Sequence, residues 1–155
     1  MGALNLYGLT ALVIGLAVLL HYEALQMLSR LSGARGPHRP MLLLVILGLL
    51  GAHMAECGVF AWAYGVGVGR LELGRFVSAE GAVTGVRLFH FSVESFTTQG
   101  VGDVVLRGPL RLLASVEPLV GLILIGWSTS FTFLFMSRRW GGAQADGAGG
   151  GGGAL

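Results

Sequence analysis

Three apolar runs, each long enough to cross a bilayer, divide this chain, and a glycine-bearing string lies between the second and the third. The hydrocarbon core of a bilayer is about 30 Å thick and takes about 20 helical residues to cross. Inside it every backbone N–H and C=O must find a protein partner, so the runs are helices and few architectures remain. Composition agrees. Of 155 residues, 54% are hydrophobic and only 12% charged, with a mean hydropathy of +0.75; a soluble domain carries about 25% charged residues. A formal charge of +2 gives no basic footprint for nucleic acid. Cys57 is the only cysteine, so no intrachain disulfide forms, and its place in an apolar run reads as packing. Residues 1–20 lack a basic start and a small-residue cleavage site, so no signal peptide is predicted.

The first run occupies residues 1–31, with His21 and Glu23 toward its second end, where their polar tips are expected to snorkel to the interface. Glycine, proline and charge mark 32–40 as a loop. The second run, 41–68, is interrupted by His53 and Glu56, three apart and so on one helix face. Trp62 and Tyr64 sit near its far end, as interfacial aromatics do. Arg70, Glu72, Arg75, Glu80 and Arg87 punctuate the next stretch, which reads as a solvent-exposed loop. Residues 86–97 fit a helix too short to span. The string 98–103 follows, 104–108 lead back to the surface, and the third run covers 109–138, with Pro109 suited to a first helical turn. Residues 141–155, mainly glycine and alanine, are predicted to be disordered. The expected fold is an all-α membrane protein: three transmembrane helices plus a re-entrant short helix and loop.

Basic residues set an orientation. Arg30, Arg35 and Arg39 flank the first connection, and Arg138 and Arg139 close the third run. Three spans place both groups on one side, cytoplasmic by the positive-inside rule. The N-terminus is then outside, the C-terminus cytoplasmic, and the membrane the plasma membrane. Arg70, Arg75 and Arg87 oppose this mildly, and the re-entrant geometry outweighs them. No run repeats arginine at every third position, so there is no voltage-sensor pattern.

The string is where chemistry concentrates. It reads Thr97-Thr98-Gln99-Gly100-Val101-Gly102-Asp103. Two threonines, alternating glycines and an aspartate, between two spans and after a short amphipathic run, have the layout of a cation selectivity filter. Such a filter coordinates ions with main-chain carbonyls and needs backbone shapes that glycine allows. Irregular backbone at membrane depth is tolerated only inside protein or along a wet cavity. One copy supplies one carbonyl per ring, so several copies around one axis are implied.

Residues 91–103 resemble the pore signature of potassium channels, Thr-Val-Gly-Tyr-Gly-Asp at its centre. Ser92-Val93-Glu94 is similar to the two-helix, proton-gated bacterial members, and the similarity runs on to Arg138. The whole chain also looks like small bacterial three-span proteins that carry an ion-channel pore domain and share a His-x-x-Glu in the outer helix. The resemblance implies a homotetramer in a lipid bilayer, with a pore domain over 41–138 and residues 1–31 as an added helix. It implies that Thr98, Gln99, Gly100, Val101 and Gly102 form the filter and hold K+, Thr98 adding its hydroxyl and Gly102 allowing the turn out. Thr97 would end the pore helix. Glu94 would lie near Asp103 and brace the filter, the two carboxyls sharing a proton because both cannot ionise cheaply. Gln99 stands where Val or Ile is usual, and Val101 where an aromatic is usual. Val101 cannot supply the hydrogen bond an aromatic hydroxyl makes to the pore helix. The Gln99 amide needs partners, and His90, Ser92 or Glu94 are within sequence reach.

In the third run the resemblance makes Gly121 a hinge, and helical counting puts Leu122, Ile125, Thr129 and Phe133 on one face, toward the axis. Phe133 and Met136 would narrow into a hydrophobic gate. Pro118 removes a helix hydrogen bond and crowds the Ala114 carbonyl. Gly121 and Gly126 equally suit close helix packing, and for Gly126 packing is the stronger reading. His53, Glu56 and Glu117 are ionisable groups within spans, so they face protein or water. By depth His53 and Glu117 could meet, as a proton sensor or as an interhelical hydrogen bond. No cluster at ligand spacing suggests a transition-metal site.

The function expected is a passive cation channel conducting potassium, without cofactors and without nucleic-acid partners. Alternatives are a weakly selective monovalent cation channel, motivated by Gln99 and Val101, and a non-conducting relative serving as a membrane scaffold. No grouping of nucleophile, base and carboxylate suggests an enzyme.

Overall fold

The structure, a computed structural model, describes residues 2–32, 38–79 and 81–148. Three of its helices are long and apolar enough to cross a membrane, at Gly2–Leu31, Arg39–Gly69 and Arg111–Arg138. They belong to α1 (Gly2–Ser32), α2 (His38–Gly69) and α4 (Arg111–Ala148), with the short α3 (Gly85–Phe96) between the last two. Pro40 falls in the first turn of α2, where its missing N–H leaves no ladder bond unmade. Pro109 and Leu110 form a turn ahead of α4, with Leu112 N donating to Pro109 O at 3.1 Å, so the helix starts two residues later than its sequence predicts.

One stripe of α1 is buried: Leu6, Leu9, Val13, Ala17, His21, Leu25 and Leu28. These recur every three or four residues, the period of a single helix face. The stripe lies on α2, where Gly48 lets Leu28 approach so closely that a Cβ would strike its side chain. Much of the remaining surface of the spans is apolar and exposed, including Leu12, Leu19, Leu47, Trp62, Leu119 and Ile123. That surface suits lipid or further protein rather than water.

The loops around α3 carry structure that hydrophobic periodicity does not show. Arg75–Ser78 (β1) and Val104–Arg107 (β2) pair antiparallel, with Phe76 opposite Leu106 and Val77 opposite Val105. The ribbon thus joins the segment before α3 to the segment after the string. Gly74 and Gly108 permit it: Gly108 has φ +99, and its Cβ position lies 2.9 Å from Gly74 Cα. Phe76 packs edge-on against Tyr64 and Phe91, with ring centroids 5.9 and 5.1 Å away. The expected solvent-exposed loop therefore folds in part onto the helices.

Helix α4 runs on through Ala148, into the tract expected to be disordered from residue 141. Extending an existing helix adds one hydrogen bond per residue without a new nucleus, and no proline interrupts the tract. Residues 149–155 of the predicted tail lie outside the described residues.

Candidate functional site

The string 98–103 begins as the cap of α3. Thr98 N donates to Ser95 O at 3.0 Å and Gln99 N to Glu94 O at 2.8 Å, the paired bonds of a Schellman motif. That motif places its capping residue in the left-handed region, and Thr98 has φ +62. Glycine usually fills this position. A β-branched residue there is a strained outlier, a kind of strain that concentrates at functional sites. Thr97 is the C-cap of α3, and its hydroxyl turns back to Val93 O at 2.7 Å.

Left-handed backbone then alternates along the string. Gly100 has φ +56 and Gly102 φ +84, while Gln99 and Val101 are not among the positive-φ residues. Positive φ thus recurs at every second residue from Thr98 to Gly102. The C-terminal end of α3, carrying the negative end of its dipole, abuts this segment.

Residues 97–103 are all exposed in the single chain, Val101 at 59%. Gln99 makes no side-chain hydrogen bond among the described residues, so His90, Ser92 and Glu94 do not hold its amide. Nor, among the described residues, does a hydrogen bond join Glu94 to Asp103, which is exposed. The Glu94 contribution lies in its backbone carbonyl, which accepts from Gln99 N at 2.8 Å and Gly100 N at 3.3 Å.

The brace behind α3 is built from other residues. Glu117 of α4 is fully buried and accepts from the Tyr64 hydroxyl of α2 and the Ser92 hydroxyl of α3. Ser92 Oγ also lies 2.9 Å from the Cys57 carbonyl. One carboxylate thus joins all three helices of the pore half. Glu117 and His53 were expected to meet, but Glu117 instead reaches Tyr64 and Ser92, nearer the α3 side.

His53 belongs to a second buried cluster. Glu56 Oε1 is 2.8 Å from His21 Nδ1, and Oε2 is 2.8 Å from His53 Nδ1. Ser128 Oγ of α4 lies 3.0 Å from His53 Nε2 and 3.5 Å from His21 Nε2. The imidazoles stack with centroids 5.3 Å apart. His21 does not snorkel: it has no exposed surface, because Glu56 offers a partner inside the bundle. Glu23 is exposed.

Along α4, Pro118 lies within the unbroken helix. A Cβ on Gly121 would collide with the Phe96 carbonyl, so this glycine is demanded by close packing against the end of α3. Gly126 has no atom within 4 Å of its Cβ position, so the packing expected there is not made within one chain. Ile125, Thr129, Phe133 and Met136 do share a face, and they line a groove of about 490 Å³ with Ile46, Leu49, Leu50, His53, Ser128 and Thr132. Leu122 is 57% and Phe133 68% exposed. The Thr129 hydroxyl bonds back to Ile125 O at 2.9 Å.

Sequence reading missed Tyr64, Ser92, His21 and Ser128 as partners. The one available signal was polarity inside an apolar run: His21 and Ser128 each sit within a span, and such groups seek partners there.

The profile of a family described as ion channel matches residues 41–138, from α2 through the apolar part of α4, leaving α1 outside. No curated protein and no solved structure matches the chain.

Proposed function

The chain belongs to the ion-channel family matched over residues 41–138, and from that premise we propose that it is a passive potassium-conducting channel, a homotetramer with string 98–103 as its filter. The alternation of left-handed backbone at Thr98, Gly100 and Gly102 carries this reading. Carbonyls aligned along one edge replace the hydration shell of a dehydrated cation when several copies share an axis. The exposure of residues 97–103 supports assembly, because irregular backbone at membrane depth needs protein or a wet cavity around it. Ile125, Thr129, Phe133 and Met136 line the path below the filter, with Phe133 and Met136 as its apolar constriction. The spans sit in the plasma membrane, N-terminus outside and C-terminus cytoplasmic.

A second reading, weak selectivity among monovalent cations, rests on one observation. Val101 is 59% exposed and can make no hydrogen bond to α3, so nothing holds the filter radius from behind.

Cation flux from liposomes containing the purified chain, with potassium and sodium gradients compared and the tetramer checked by cross-linking, tests both. Potassium flux well above sodium supports the first reading. Equal fluxes favour the second. No flux from an intact tetramer in either gradient points to a membrane scaffold instead.

A further inference from the structure

The cluster joining α1, α2 and α4 gathers two imidazoles and a hydroxyl around one buried carboxyl. Two contacts run from Glu56 to the Nδ1 atoms of His21 and His53, and two more from Ser128 Oγ to their Nε2 atoms. Two neutral imidazoles and one hydroxyl supply three hydrogens, enough for the contacts of 2.8, 2.8 and 3.0 Å, while the 3.5 Å approach of Ser128 to His21 is too long for a good bond. An ionised Glu56 also brings a negative charge to a residue with no exposed surface. Buried charges in apolar surroundings are paired or coordinate a metal. A cation shared with the two imidazoles would neutralise that charge.

A proton would require only one imidazole. The fold supplies two, and the second arrives from α1, outside the matched pore region. Ligand atoms of His21, His53 and Glu56 all lie within 4.8 Å of one another. Two imidazole nitrogens and a carboxylate oxygen are a donor set for zinc and its first-row neighbours. We infer that His21, His53 and Glu56 form a binding site for a divalent transition-metal ion, Zn2+ being the representative case.

With the ion on the Nδ1 atoms, each neutral imidazole carries its hydrogen on Nε2, facing Ser128 Oγ. Metal–ligand bonds of about 2.0–2.2 Å give a tetrahedral edge of roughly 3.3 Å. The 2.8 Å N···O separations therefore open by about half an ångström. His53 also lines the groove beside Ser128, and its side chain is 15% exposed. That groove is a route in for the ion. The site would bond the added helix α1 to the pore domain beside its inner helix.

The test uses the full chain in detergent, stripped with chelator, incubated with Zn2+ alone, dialysed, and assayed for bound zinc by mass spectrometry. About one ion per chain is expected, with His21→Gln and His53→Gln each weakening binding by at least about 10-fold. Replacing the exposed His90 with Gln should leave binding unchanged. Co2+ bound to the wild-type chain should give intense tetrahedral visible bands, a readout that needs no variant to fold. Zinc lost on dialysis from the wild-type chain overturns the inference in favour of a shared proton. Zinc retained equally by the double variant His21→Gln, His53→Gln overturns it in favour of binding elsewhere. Neither result depends on whether the protein conducts.

Discussion

The carbonyl of Phe96, the last residue of α3, occupies the space where a side chain at Gly121 of α4 would begin. The shorter helix therefore rests its end on the longer one at a point where only glycine fits. Gly121→Ala should destabilise the protein by about 1–3 kcal/mol, the usual cost of overpacking against atoms that cannot move aside. Gly126→Ala, five residues on in open space, should be neutral or stabilise by up to about 1 kcal/mol through helix propensity. Thermal unfolding in detergent separates the two, and equal melting points for both variants would refute the close contact.

The Glu117 brace predicts coupled losses. Tyr64→Phe and Ser92→Ala each remove one donor to the same buried carboxylate, costing about 1–3 kcal/mol apiece. Because the two share Glu117, the double variant should depart from additivity by at least about 0.5 kcal/mol. A double-mutant cycle on unfolding free energies reads this directly. Strict additivity would mean the hydroxyls act separately.

In the string, Gly100→Ala places a Cβ on a residue with φ +56, at a cost of about 1–2 kcal/mol. Flux in liposomes should be lost while the helices, followed by circular dichroism, persist. Thr98→Gly relieves the strained φ of +62 yet removes a hydroxyl, so folding should be unharmed and potassium preference reduced. Unchanged preference would separate the Thr98 hydroxyl from the ion path.

Gln99→Val combined with Val101→Tyr tests the shell behind the proposed filter. For a potassium-selective pore, the ratio of potassium to sodium flux should hold or rise modestly. For a weakly selective pore it should rise by about tenfold or more, equivalent to about 1.4 kcal/mol of discrimination. Flux ratios in paired liposome preparations decide between these outcomes.

The ribbon predicts a local defect. Gly108→Ala sets a Cβ 2.9 Å from Gly74 Cα at φ +99, costing about 1–3 kcal/mol of strain. Protease cleavage between β1 and α3 should accelerate while the spans stay protected. An unchanged cleavage rate would show that the ribbon contributes little to holding that segment.

The spans and α3 were legible because a bilayer forces long apolar runs and a short helix cannot hide among them. The predicted 86–97 and the observed Gly85–Phe96 differ by one residue at each end. The ribbon was not legible. Arg75-Phe76-Val77-Ser78 is too short for a period, and its partner lies across α3 in the chain. Side-chain partnerships were opaque for a related reason. Depth alone paired His53 with Glu117, but which face each helix turns decides the contact, and that is set jointly by all three neighbours. His21 and Glu56, 35 positions apart, meet only once α1 has docked. The Glu94–Asp103 brace came from the resemblance alone, and among the described residues no hydrogen bond joins the two.

Helix α4 is 38 residues long, about 57 Å at 1.5 Å per residue. Its contact with Phe96 at Gly121 lies near one end, leaving about 40 Å of rod on the other side. This is the geometry of a lever with an off-centre fulcrum. A tilt of about 5° at Gly121 sweeps Ala148 through about 3–4 Å while the Arg111 end moves by under 2 Å. Anything that grips the far end of the rod works with mechanical advantage on the Arg111 end, where a short turn joins it to β2.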